Sequence, residues 1–313
     1  MATLKNHILV PVDFSEQSQI ALSQSFNLAR LTKADLTLIN VIDESFHLPF
    51  FSAKEDKTME KKIQKALDKV AEEASHEVGI KVNTLVVKGK VYEEVQKAAK
   101  KLKCSFVVMG TNGSVGLKKF IGSNALRVIR EAPCPVITIK GKKHRPGCKN
   151  IVLPLDLTKE TKEKVSKAIE IANLFGSTIN LVSVLTTDDE FIVNKLKRQM
   201  HQVHEFIVEH NIPCTIEFLH GSEVPEEIVG YSKKIKADLI MIMTQEELTW
   251  TDIMFISSSA QQIINESEIP VLSVRPKEKK TPQHLYFSTN AKITPTNEQK
   301  IPNRKNSDPV RFF

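Results

Sequence analysis

The sequence predicts an α/β fold built from two tandem copies of one five-stranded parallel-sheet unit. Three observations carry that expectation. Short apolar runs, such as residues 7–12 and 105–109, alternate with longer amphipathic segments such as 16–31; strands buried on both faces between helices give that pattern. The pattern restarts after residue 149: Pro11, Asp13 and Val41 recur as Pro154, Asp156 and Val184 at an offset of 143, and Pro135-Val136 recurs as Pro270-Val271 at 135. Finally, the run Phe106-Val107-Val108-Met109 breaks into a stretch bearing Gly110, Gly113, Gly116 and Gly122 before the next helical segment.

Taken in order, residues 7–12 (His-Ile-Leu-Val-Pro-Val) read as the first strand, closed by Asp13-Phe14-Ser15. Ser15 suits the N-cap of a helix over 16–31, where Ile20, Ala21, Phe26, Leu28 and Ala29 form an apolar stripe. A strand over 35–42, a charged helix over 57–78, a strand over 82–87 and a helix over 92–102 follow. The strand at 105–109 leads through the glycine-rich stretch to a helix over 124–131, which Pro133 and Pro135 stop before a fifth strand at 136–139. Residues 1–140 make the first domain, 141–148 (Gly-Lys-Lys-His-Arg-Pro-Gly-Cys) a linker, and 149–276 the second copy. Residues 277–313, with Pro282, Pro295, Pro302 and Pro309 and no periodic apolar face, read as a disordered tail.

Composition narrows the function classes. Of the net charge of +7, the tail holds eight basic and three acidic residues, which leaves about +2 on the folded part. That is too little for a nucleic-acid-binding face. No apolar run reaches the roughly 18–20 residues of a membrane helix, and the start of the chain has no signal-peptide core. The four cysteines (Cys104, Cys134, Cys148, Cys214) form no CxxC pair and no metal spacing, as suits a reducing cytoplasm.

The glycine-rich stretch is the main chemical signal. Glycine lets the backbone approach an anion closely, and the helix that follows supplies unpaired N–H groups and the positive end of its dipole. The spacing is neither the dinucleotide fingerprint nor a P-loop, so the stretch alone equally describes a plain strand-to-helix turn.

Taken with the repeat, the residues resemble the universal stress protein family, one domain in each half. The matches are Val10-Pro11-Val12-Asp13, Asn40-Val41, Met109-Gly110-Thr111, Gly122-Ser123 and Cys134-Pro135-Val136. The resemblance implies Rossmann-like domains of the adenine nucleotide alpha hydrolase type and a regulatory, ATP-binding role in the stress response. It also implies a site: Asp13 accepting from ribose or adenine, Pro11, Val12 and Val41 packed on the adenine, Met109 lining the base. Gly110, Gly113, Gly122 and Ser123 would cradle phosphate, with a donor from Asn124 and Mg2+ accompanying the nucleotide. One departure is that eight residues, 114–121, separate Gly113 from Gly122, where the ATP-binding pattern has nine. Family members also pair their last strand across a dimer, so the two halves are expected to pair within the chain, and a further homodimer is compatible with that.

The second copy departs further. Residues 243–257 contain no glycine; Met243 replaces Gly110, and Glu246, Glu247 and Asp252 would repel phosphate. Nucleotide is therefore expected in the first half only. The alternative is a nucleotide-free scaffold acting through protein contacts. Lys118 and Lys119 could reach a γ-phosphate or form a solvated face. His201, His204 and His210 fit surface positions better than a metal site, and Asp188-Asp189-Glu190 fits a helix start. Trp250 could mark a contact surface. No triad, nucleophile elbow or paired carboxylates point to an enzyme.

Overall fold

The computed structural model describes residues 7–43, 53–111, 121–141, 147–156, 161–244 and 258–275. The linker residues 142–146 and the tail from 276 onward fall outside them. The first half runs β1 (His7–Pro11), α1 (Glu16–Thr32), β2 (Asp35–Asp43), α2 (Ala53–Val78), β3 (Val82–Gly89), α3 (Val91–Lys101), β4 (Phe106–Gly110), α4 (Ser123–Glu131) and β5 (Val136–Ile139). The second half repeats it as β6 (Asn150–Pro154), α5 (Thr161–Phe175), β7 (Thr178–Leu185), α6 (Glu190–Glu209), β8 (Cys214–His220), α7 (Val224–Lys234), β9 (Leu239–Met243), α8 (Ser258–Glu266) and β10 (Val271–Val274).

The strands form one ten-stranded sheet in the order β3-β2-β1-β4-β5-β10-β9-β6-β7-β8. Pairing is parallel within each half, and β5 and β10 meet antiparallel, with Val271 opposite Thr138 and Ser273 opposite Val136. The strand edge that each half would otherwise expose is thereby covered by the other half.

Strand β1 shows how the sheet is buried. Ile8, Val10 and Val12 enter one apolar layer and Leu9 the other, because alternate side chains of a strand face opposite ways. The first layer is completed by α1, α2, α5 and α6, the second by α3, α4, α7 and α8, and each layer runs through both halves. The outer strands β3 and β8 are only half-buried.

Element ends differ modestly from expectation. Strand β3 runs on to Gly89 because it pairs with β2 along its whole length, to Asp43 opposite Gly89. Helix α2 starts at Ala53, four residues before the expected Lys57. Ser15 caps α1 as anticipated, accepting a hydrogen bond from the Ser18 N–H.

Candidate functional site

Strand β1 has β2 on one side and β4 on the other. The chain thus leaves β1 in one direction to reach β2 and β3, and in the other to reach β4 and β5. Open parallel sheets bind ligands beyond the carboxyl ends of strands at such a reversal, here where residues 11–13 and 110–111 emerge.

The backbone leaving β1 is clamped. Val12 donates its N–H to the Ile39 carbonyl at 2.8 Å, and its own carbonyl accepts from Asn40 Nδ2 at 2.7 Å. Asp13, exposed, follows at once. Its Oδ1 accepts from the Ser15 N–H at 3.1 Å and the Ser15 hydroxyl at 2.5 Å, so the helix cap also sets the carboxylate's direction. Phe14 between them has φ +63°, a left-handed backbone unusual for an aromatic residue. Its side chain packs against the core, which offsets that strain.

Of the other expected residues, Pro11 and Val41 are half-buried, while Val12 and Met109 are core side chains in opposite layers. Gly110 lies tight against the start of α1: a Cβ there would stand 2.9 Å from Gln17 Cγ and 3.1 Å from the Gln17 backbone. Its lack of a side chain is thus already required by helix–strand packing. Gly113, with Lys118 and Lys119, falls outside the described residues.

The two ends of the glycine-bearing loop meet at a neck, where the Gly122 N–H donates to the Thr111 carbonyl at 2.8 Å. Gly122 is the N-cap of α4 and has no side chain to satisfy the helix's first N–H groups. Those of Ser123 (exposed) and Asn124 (half-buried) are therefore placed to meet an anion. The neighbouring Ile121 N–H is held by Asn265 Oδ1 of the second half at 2.8 Å. Lys140 Nζ donates to the carbonyl of that same Asn265.

The second half keeps the clamp and changes its chemistry. Leu155 donates to the Val182 carbonyl at 2.9 Å, and Ser183 Oγ donates to the Leu155 carbonyl at 2.9 Å in place of Asn40. Asp156 is exposed like Asp13. Met243, buried, stands where Gly110 does. Residues 245–257, including Glu246, Glu247, Trp250 and Asp252, fall outside the described residues.

The remaining candidates resolve into structural roles. His204 Nε2 is bonded to the Cys214 carbonyl and His210 Nδ1 to the Phe206 carbonyl. Asp189 is the N-cap of α6, accepting from the Phe191 and Ile192 N–H groups. Among the described residues no group of three or more His, Cys, Asp or Glu side chains could hold a metal ion. Burial pushes the thiols of Cys104, Cys134, Cys148 and Cys214 up to about 12, so each is protonated and a poor nucleophile at neutral pH.

The universal stress protein family model matches residues 5–140 and again 147–275. The chain belongs to the universal stress protein family. Universal stress protein MJ0531 of Methanocaldococcus jannaschii is 35% identical over 145 residues, which cover 45% of this chain and 85% of that protein. Universal stress protein MJ0577 of the same organism is 31% identical over 160 residues, covering 45% of this chain and 99% of its own. Both are similar to about half of this chain, consistent with one family domain against a chain carrying two. Over the wider span, the crystal structure of a universal stress protein from Archaeoglobus fulgidus covers 87% of this chain and 99% of its own with a TM-score of 0.72. At 21% identity that likeness shows the shared fold. No helix among the described residues is long and apolar enough to cross a membrane.

Proposed function

We propose that this universal stress protein is a regulatory protein that holds an adenine nucleotide, ATP, in its first half only. The observation that carries the reading is the convergence of Asp13, Gly110 and the uncapped start of α4 at the carboxyl ends of β1 and β4. A carboxylate suits ribose hydroxyls or the adenine amino group, and a helix N-terminus suits phosphate. Mg2+ would travel on the phosphates, since the described residues form no cluster for it. The glycine-free, acidic stretch 245–257 argues against the same ligand in the second half. We assign no catalytic residue; binding would act by ordering the loop that a partner protein reads.

The test is native mass spectrometry of the purified full-length chain, followed by calorimetric titration with ATP. One nucleotide per chain, lost in Asp13→Ala, is expected. Two per chain, or no heat at millimolar ATP, overturns the reading. A second reading, a nucleotide-free scaffold, is favoured by one observation. The Gly122 and Ile121 N–H groups at the loop neck are already satisfied by protein acceptors. Absence of heat in the same titration would select it. Under either reading a homodimer would have to use surfaces other than β5 and β10, which already pair with each other.

A further inference from the structure

The second half is not merely a copy that lost its glycines. At the carboxyl ends of β6, β7 and β9, the position of the first half's candidate site, lies a cavity of about 450 Å³. A second cavity, about 520 Å³, lies between α5 and α6. The two share Leu155, Asp156 and Leu196 in their linings, so they adjoin. Each falls in the ~300–1,000 Å³ range of small-molecule sites. Their walls are mostly apolar.

The shape and charge of this space select a ligand class. On α6 the lining extends from Ile192 to Phe206, about 21 Å at ~1.5 Å per residue, which suits an extended chain better than a compact ring system. Of the six large hydrophobic side chains exposed among the described residues, four lie on α6: Phe191, Ile192, Phe206 and Val208. Ile192 and Phe206 are the two that also line the cavities. Lys162 and Lys164, in the first turn of α5, supply positive charge at the rim, reinforced by the helix dipole. Asp156 is the only acidic side chain among the described lining residues. One net positive charge suits a monoanion rather than a nucleoside triphosphate.

We propose that the second half binds a long-chain aliphatic carboxylate, with its head group at Lys162 and Lys164 and its chain lying along Leu155, Leu196 and Phe206. The site is independent of whether the first half holds nucleotide.

The test uses the delipidated full-length chain and a fluorescent polyene fatty acid, displaced by palmitate below its micelle-forming concentration. Saturable one-to-one binding is expected. Hexadecanol, the same chain without the charge, should bind roughly fivefold more weakly. Lys162→Glu should weaken palmitate roughly fivefold while leaving hexadecanol unchanged. Phe206→Ser should weaken both about fivefold. Phe191→Ser, on the same helix but lining neither cavity, should weaken neither. The proposal is overturned if the probe does not saturate, or if ATP displaces it. It is also overturned if Phe191→Ser lowers affinity as much as Phe206→Ser, which would mean adsorption on the outer face of α6. Displacement by lysophosphatidylcholine as effective as by palmitate would assign the site to a zwitterionic lipid and overturn the carboxylate.

Discussion

The side chain of Asn265, on α8 of the second half, accepts a 2.8 Å hydrogen bond from the backbone N–H of Ile121, where the glycine-bearing loop of the first half returns to the fold. Ile121 is 7% exposed, so water is a poor substitute for that acceptor. The loop neck of one half is therefore held by the other. Asn265→Ala should lower stability by about 1–3 kcal/mol, the cost of an unsatisfied buried N–H, and should weaken ATP binding along with it. Asn265→Asp keeps an oxygen in place and should recover much of both. Urea unfolding and calorimetry on the same variants check this; an unchanged Asn265→Ala protein would make the bond incidental.

Two glycines of the candidate site should respond differently. A Cβ at Gly110 would crowd the Gln17 side chain and backbone, whereas at Gly122 the nearest atom, the Thr111 carbonyl oxygen, is 3.4 Å away. Gly110→Ala should thus destabilise the fold by about 1–3 kcal/mol whether or not nucleotide binds. Gly122→Ala should change stability by about 1 kcal/mol or less and is the cleaner probe of the phosphate cradle. Thermal melts with and without ATP separate the two effects.

The seam between the halves is short and dry. Val136 and Val271 are each 1% exposed there, and Thr138 Oγ1 donates to the Val271 carbonyl across it. A lysine at either valine would bury an unpaired charge. Val136→Lys with Val271→Lys should separate the halves while each keeps its secondary structure. Small-angle scattering should show a larger radius of gyration with circular dichroism preserved; an unchanged radius would sink the arrangement.

The repeat itself suggests a stabilising change. Lys33 ends α1 with φ +51°, and its counterpart after α5, Gly176, has φ +63°. Glycine adopts that left-handed cap without a Cβ penalty. Lys33→Gly should raise stability by about 0.5–1 kcal/mol, read as a higher urea midpoint with an unchanged slope.

His7 makes stability depend on pH. Burial lowers its pKa from the ordinary 6.5, with Asp35 opposing in part, and its Nε2 is bonded to Thr37 Oγ1 at 2.8 Å. Between the lowered folded value and 6.5 the unfolded chain binds more protons than the folded one. Stability contributed here is full above about pH 6.5 and falls as pH drops toward the folded pKa. His7→Gln should flatten that part of the profile between pH 7.5 and 5.5; an identical profile would assign the dependence elsewhere.

Much of the site was readable as a string because it depends on local chemistry. Asp13, the glycines and the helix start after Gly122 are short-range signals, and the duplicated Pro-x-Asp announces both halves. The clamp that places Asp13 left a fainter trace. Asn40 and Ser183 are polar side chains in otherwise apolar strands, at positions one residue before Val41 and Val184. Both donate to the carbonyl preceding the aspartate. Asn265 gave no such trace, because its partner lies 144 residues away.

What the residues determined unaided was the unit: periodic apolar runs set its strands and helices, and its repetition set their number. Only the tertiary structure decided how the two units share one sheet, which glycine is held by packing rather than kept for a ligand, and that the second crevice is lined for an apolar guest. Periodicity is a property of neighbours along the chain, whereas cavities and cross-half hydrogen bonds depend on the distance between side chains far apart in sequence. That distance is set only once both apolar layers have closed over the sheet.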